Sequence, residues 1–89
     1  MYNVDLADKA LKDIEFFKLS GNKQNLKKIE ILLTELEVHP MTGTGKPERL
    51  RYELSGKWSR RIDSANRLIY EINDNAQTVF ILSARAHYK

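Results

Sequence analysis

The hydrophobic period of this chain changes at Pro47. Before that point apolar residues recur every three to four positions; after it they recur every two. This switch, across a loop bounded by Pro40 and Pro47, separates a helical part from a run of strands. The helical part comes after a short alternating run, Tyr2, Val4 and Leu6, which reads as a first strand. Asp8 is a plausible helix N-cap, with Ala10, Leu11, Ile14 and Phe17 at helical spacing behind it. Ser20-Gly21-Asn22 ends that helix. A second helix carries Leu26, Ile29, Leu33 and Leu36 on one face and cannot continue past Pro40. Two helices with so short a connection read as an antiparallel hairpin.

Beyond Pro47, Leu50, Tyr52 and Leu54 are expected on one face of a strand, with Arg49, Arg51 and Glu53 on the other. Ser55-Gly56-Lys57 turns the chain. Trp58 and Ile62 then share a face, opposite Ser59, Arg61 and Asp63. Arg60 falls by parity on the Trp58 side, so either its stem snorkels out or the strand bulges. After a turn at Ser64-Ala65-Asn66, Leu68, Tyr70 and Ile72 point inward, and Arg67, Ile69 and Glu71 outward. Asn73-Asp74-Asn75 is a further hairpin signal. The last strand, Thr78 to about Ala86, is so apolar that burial on both faces is expected. The order is β-α-α-β-β-β-β: an α+β fold with an antiparallel sheet and a helix pair on one face, in a single domain over residues 1–89. The uncovered face would gather Arg49, Arg51, Arg61 and Arg67, with Arg85 and His87 at the end.

Charge supports an anionic partner. Residues 1–40 carry 6 Lys and 7 acidic residues, a balance of −1, whereas residues 41–70 carry 7 Lys and Arg against 3 acidic residues, a balance of +4. Arginine dominates the basic part and suits bidentate phosphate contacts and base stacking. A solvated basic surface is the plainer alternative. The loop Thr42-Gly43-Thr44-Gly45-Lys46-Pro47 has glycines and a lysine but not P-loop spacing, and reads as a connector. With no cysteine, thiolate metal sites and disulfides are excluded. His39 and His87 stand 48 positions apart with no metal-binding motif, so no metal or other cofactor is expected. The N-terminus lacks the pattern of a signal peptide, and no apolar run approaches the roughly 20 residues that span a bilayer. A soluble, cytoplasmic protein without membrane contact is the expectation.

RNA cleavage needs no metal, because the 2′-hydroxyl is an internal nucleophile. It needs a base, an acid and cations around the transition state. Glu48 is a candidate base, His87 a candidate acid, and Arg61 and Arg67 candidate charge stabilisers, with Tyr88 placed to stack on a base or orient the phosphate. Each has a structural rival. Glu48 as a solvated carboxylate or a partner of Arg51, Arg67 in an ion pair with Asp63 or Glu71, His87 as a solvated polar residue, and Tyr88, Trp58 and Tyr70 as packing residues all fit the same pattern.

The segments Gly43-Thr44-Gly45-Lys46-Pro47-Glu48, Leu54-Ser55-Gly56-Lys57-Trp58-Ser59-Arg60-Arg61-Ile62, Arg67-Leu68-Ile69-Tyr70 and Arg85-Ala86-His87-Tyr88 together resemble the YoeB/Txe toxins of the RelE superfamily, over nearly the whole chain. Departures are Asn66, where that family often has histidine, Arg49, where it often has proline, and Lys89 after the closing His-Tyr pair. The resemblance implies a twisted-sheet microbial RNase fold and a type II toxin that cuts mRNA in the A site of the 70S ribosome, leaving a 2′,3′-cyclic phosphate and a 5′-hydroxyl. By position it implies Glu48 as base, His87 as acid and Arg67 as the phosphate-stabilising arginine, with Arg61 and Tyr88 at further active-site positions and Arg51 near the RNA. Lys46 and Arg85 complete the set of cations expected to bind RNA. It also implies a cognate YefM/Phd-type antitoxin and a possible homodimer. The competing readings are a non-catalytic basic module that binds RNA or an acidic protein, and a degenerate toxin kept as a transcriptional co-repressor.

Overall fold

A computed structural model describes residues 1–86. Strand β1 (Asn3–Leu6) leads into helix α1 (Asp8–Leu19) and helix α2 (Lys23–Leu36), followed by β2 (Glu48–Arg49), β3 (Lys57–Arg61), β4 (Arg67–Asn73) and β5 (Thr78–Ala86). The five strands form one sheet in the order β1-β5-β4-β3-β2. The four later strands pair antiparallel as the hairpin signals require, while β1 lies parallel to β5, so the sheet is mixed. A parallel neighbour needs a long connection, and here it is the whole chain between Leu6 and Thr78: the helix pair carries it from the β1 edge of the sheet to the β2 edge, and the meander brings it back to β5. The α+β class and the helix pair on one face are as expected.

The helices pack through Ala10, Phe17, Ile29, Leu32 and Leu36 against Leu68, Tyr70, Val79, Ile81 and Ala84. The apolar stripe of α2 is centred on Leu32 rather than Leu33, which is half-buried, and Leu11 of α1 faces solvent. Asn22 caps α2 by accepting from the Asn25 amide at 3.0 Å, whereas the cap of α1 is Ala7, with Asp8 in the first turn. Only one face of the sheet is covered, so β5 is not buried on both sides: Phe80 is 39% exposed.

The expected long second strand is a two-residue strand. Leu50 still donates its amide to the Lys57 carbonyl at 2.9 Å. The chain then closes on itself, Leu54 to Arg51 at 3.2 Å and Ser55 to Tyr52 at 2.9 Å, as a single 3-10 turn over Tyr52–Leu54. Local turn bonds displace the cross-strand ladder there, so Tyr52 leaves the inward face and stands 85% exposed.

Arg60 neither snorkels nor bulges. It is 0% exposed, and all five of its N–H donors find acceptors. Nε donates to the Tyr70 hydroxyl at 3.1 Å; Nη1 to Glu35 Oε1 at 3.0 Å and to the Thr44 carbonyl at 3.4 Å; Nη2 to the Thr42 carbonyl at 2.8 Å and to the His39 carbonyl. Tyr70 passes the network on to the Pro40 carbonyl at 3.0 Å. Glu35 also accepts from the Thr44 hydroxyl at 2.5 Å and the Thr44 amide at 2.7 Å. These Thr44 bonds, against the opposing effect of burial, and the Arg60 charge hold its carboxyl below the usual range. The connector is thus wrapped around a buried cation. Gly45 (φ 84°) belongs to that wrapping, since a Cβ there would come 2.9 Å from the Arg61 carbonyl oxygen.

A second buried charge docks α1. Asp13 Oδ2 accepts from Lys9 Nζ at 2.8 Å and from the amides of Ala84 at 2.9 Å and Arg85 at 3.1 Å. Burial pushes the Asp13 carboxyl up, but the Lys9 ammonium and the two amides outweigh it and its pKa is lowered.

Two outcomes are expected. Arg60→Ala leaves Glu35 without its cation and the His39, Thr42 and Thr44 carbonyls without the guanidinium that ties them together, and should cost about 3–5 kcal/mol in urea unfolding, a fall of more than about 10 °C in Tm for a chain this size. Because the folded pKa of Asp13 is depressed, its contribution is complete above about pH 5 and fades as pH falls below the unfolded value of about 3.9 towards the lower folded one. Asp13→Asn should therefore be less stable than wild type at pH 7, with the gap narrowing as unfolding is repeated below pH ~4.

Candidate active site

The candidate residues meet on the open face of the sheet, and strand register decides which side chains share it. Glu48 of β2 sits opposite Ser59 of β3, which sits opposite Ile69 of β4, which sits opposite Ser83 of β5. Arg61 sits opposite Arg67, and Arg67 opposite Ala86. Arg67 is a diagonal neighbour of Ser59 and leans across β3: its Nη1 donates to Ser59 Oγ at 3.0 Å and reaches Glu48 Oε1 at 3.6 Å. The partner of Arg67 across the sheet is therefore Glu48, not Asp63 or Glu71. Glu71 pairs with Lys57 at 3.5 Å.

Asp63 has a different task. Its Oδ1 accepts from the amides of Ala65 and Asn66, each at 2.7 Å, and its Oδ2 accepts from Asn25 of α2 at 2.7 Å. Burial pushes this carboxyl up, but the Asn25 bond first, then the turn amides and the Asn66 side chain, bring it below its ordinary value. The result is a fixed four-residue turn, pinned to α2, from which β4 starts with Arg67. This role was readable in the Asp63-Ser64-Ala65-Asn66 spacing, since aspartate closes turns on amides two and three positions ahead. Ser59 carried no comparable signal. It is buried on the open face, and its hydroxyl fixes the Arg67 guanidinium.

The structure brings Glu48, Arg67 and Arg61 together on neighbouring strands. Lys46 joins them at the edge: Lys46, Arg61 and Lys28 line a surface pocket of about 400 Å³. The row of cations expected from parity is otherwise broken. Arg49 pairs by register with Trp58, on the helix-covered side, and its guanidinium lies 5.3 Å from the Trp58 ring. Arg51 is exposed just before the 3-10 turn. Arg85 lies over the Phe16 ring of α1 at 3.5 Å, because β4–β5 pairing shifts register around Ile69 and turns the end of β5. His87 and Tyr88 lie outside the described residues.

Two guanidinium-bearing residues directly opposite one another across a ladder repel. Arg61 and Arg67 hold that arrangement on a face open to ligand, where an anion would relieve it. A carboxylate 3.6 Å from one of them adds a proton acceptor. The arrangement suits a phosphodiester with an ionisable hydroxyl beside it. Among the described residues no three or more His, Cys, Asp or Glu side chains cluster as metal ligands, and no helix is long and apolar enough to cross a membrane.

Comparison with known proteins places the chain in a family. The chain is 41% identical over 88 residues to a toxin YoeB of Mycobacterium bovis, covering 99% of this chain and all of that protein. A YoeB/ParE toxin from Agrobacterium tumefaciens superposes with a TM-score of 0.89 at 29% identity, over 97% of this chain and 99% of the other. A YoeB–YefM complex and a YoeB dimer, both from Staphylococcus aureus, give TM-scores of 0.82 and 0.83 at 35% and 33% identity, over 99% and 98% of each chain compared. The model for the YoeB-like toxins of bacterial type II toxin–antitoxin systems matches residues 6–88, and the chain belongs to that family.

Proposed function

We propose that this toxin is a metal-independent endoribonuclease that cuts translated mRNA in the A site of the 70S ribosome. Glu48 takes the proton from a 2′-hydroxyl, and the freed oxygen attacks the adjacent phosphorus. Negative charge builds on the non-bridging oxygens, where Arg67 and Arg61 meet it. His87, the residue that follows Ala86, donates a proton to the departing 5′-oxygen, and Tyr88 positions the phosphate. The products are a 2′,3′-cyclic phosphate and a 5′-hydroxyl, so no water enters the bond-breaking step. Lys46 and Arg51 hold flanking phosphates, and Arg85 extends that contact from the far side of the strand end.

The observation that carries this reading is the Glu48–Arg67 ion pair at 3.6 Å on the uncovered face, with Arg61 directly opposite Arg67. The pair holds a base and a phosphate-binding cation within one nucleotide's reach. The register Arg67–Ala86 supports the role of His87, because it brings the chain to that same end of the sheet. Ribosome dependence rests on family membership. The Staphylococcus aureus complex and dimer support a YefM-type antitoxin as the neutralising partner and a homodimer as an available state. An acidic antitoxin segment suits a face that presents paired arginines. The toxin acts in the cytoplasm, where translated message is.

Mapping the 5′ ends of cellular mRNA after brief induction tests the reading. Glu48→Gln and His87→Ala should each lower cleavage by about 10²–10⁴-fold, as removal of a general base or acid does. Arg67→Ala should lower it about 10²–10³-fold through lost charge stabilisation. All three should unfold near the wild-type temperature. Wild-type cleavage by both Glu48→Gln and His87→Ala overturns the assignment. RNA binding without new 5′ ends from the wild type leaves a binding module instead.

A further inference from the structure

Tyr52 is built in a way the fold does not need. It is the second residue of the turn closed by the Leu54 amide on the Arg51 carbonyl, and its φ is +60°. That position is normally taken by Gly, Asn or Asp, because a Cβ is strained there. A strained residue ordinarily gains packing in return. Tyr52 gains little, since its side chain stands 85% exposed at the tip of the β2–β3 hairpin. Strain at an exposed aromatic is a feature to be explained by what the ring meets.

Its surroundings narrow the choice. It stands four positions from Glu48, a reach of at most about 14 Å. The Leu50–Lys57 bond at 2.9 Å keeps this segment on the same hairpin as the Glu48 carboxylate. Arg51 precedes it, exposed, and Arg49 is anchored over Trp58. An aromatic face among arginines, beside a phosphate-binding floor, is the pattern that holds single-stranded nucleic acid. We propose that Tyr52 is a stacking platform for one unpaired nucleobase of the RNA held at Glu48 and Arg67. This rests on the ribonuclease reading of the site and adds a base contact to it. With the side chain 85% exposed, a base can slide onto the ring face while the backbone runs towards Arg67. Every base has a π face, so this contact fixes position more than sequence.

Binding of a short single-stranded 2′-O-methyl RNA carrying 2-aminopurine, which cannot be cut by 2′-hydroxyl attack, reads the stack directly. Wild type and Tyr52→Phe should quench its fluorescence with similar affinity. Tyr52→Gly and Tyr52→Ala should bind about 5- to 100-fold more weakly, the loss expected of one base–aromatic stack. Tyr52→Gly, freed of the strained Cβ, should melt at or above the wild-type temperature, which separates lost stacking from lost structure. Equal affinity of wild type and Tyr52→Gly overturns the proposal, as does no binding by wild type. A Tyr52→Ala protein that binds RNA normally but is less well neutralised by a co-expressed YefM-type antitoxin assigns the ring to protein docking and also overturns it. If Glu48→Gln cuts like wild type while Tyr52→Gly binds weakly, the catalytic reading falls and the stack stands.

Discussion

The buried guanidinium of Arg60 is the constraint around which the rest is arranged. Taking such a charge out of water is tolerable only when every donor is met, and here the acceptors come from three separate parts of the chain. Glu35 belongs to α2, Tyr70 to the adjacent strand, and the carbonyls of His39, Thr42 and Thr44 to the long connection between helix and sheet. That connection has little apolar material of its own, yet it has a defined path because Arg60 organises it from inside. On the proposed function the path matters, because it ends at Lys46 and delivers Glu48 to the edge of β3. The bond from the Arg61 amide to the Gly45 carbonyl, at 2.7 Å, ties the same loop to the next residue of the strand.

Arg60 and Arg61 are adjacent and chemically identical, and strand pleat alone assigns them opposite tasks. One faces the helices and serves the fold; the other faces solvent beside Arg67. The acidic residues divide in a similar way. Asp13, Glu35 and Asp63 are consumed in holding amides, hydroxyls and cations within the structure. Glu48, half exposed on the open face, is the carboxylate set against Arg67. The net charge of the chain therefore understates how positive that face is. Local backbone demands absorb much of the acid before any ligand meets it.

What could be read beforehand follows from the range of the interactions involved. The helix pair, the meander and the side of Arg60 rest on periodicity, which is a property of neighbours, and all three hold. The acceptors of Arg60 were not legible, because Glu35 lies 25 positions away and the remainder are mostly backbone carbonyls that carry no residue signature. The parallel placement of β1 is a pairing across the whole chain, Asn3 with Thr78, and alternation cannot specify it. The end of β2 at Arg49 depended on a local turn outcompeting a ladder, and Arg85 on a register shift in the neighbouring pair. Of the site, the placement of Arg61 and Arg67 on one surface was legible from parity, whereas Glu48, which parity sets with Leu50 on the inward side, came from resemblance, and Ser59 beneath Arg67 was not legible. A serine in a strand carries no hint that its hydroxyl will orient a cation two residues off-register on the next strand.

Among the described residues two helices meet a five-stranded sheet, and they cover one face. The other face must be tolerable in water without them. Small polar residues such as Ser59 and Ser83 line its centre, and long side chains such as Arg67 lie across it. A guanidinium laid flat over a strand shields the backbone beneath and keeps its charge in solvent. The same posture suits the proposed RNA site, since a planar cation held at both Ser59 and Glu48 has a fixed orientation. On the proposed function, one placement of one residue serves both the wetting of the uncovered sheet and the recognition of phosphate. In a domain too small to devote separate layers to each, the constraint that keeps the open face wet also orders its chemistry.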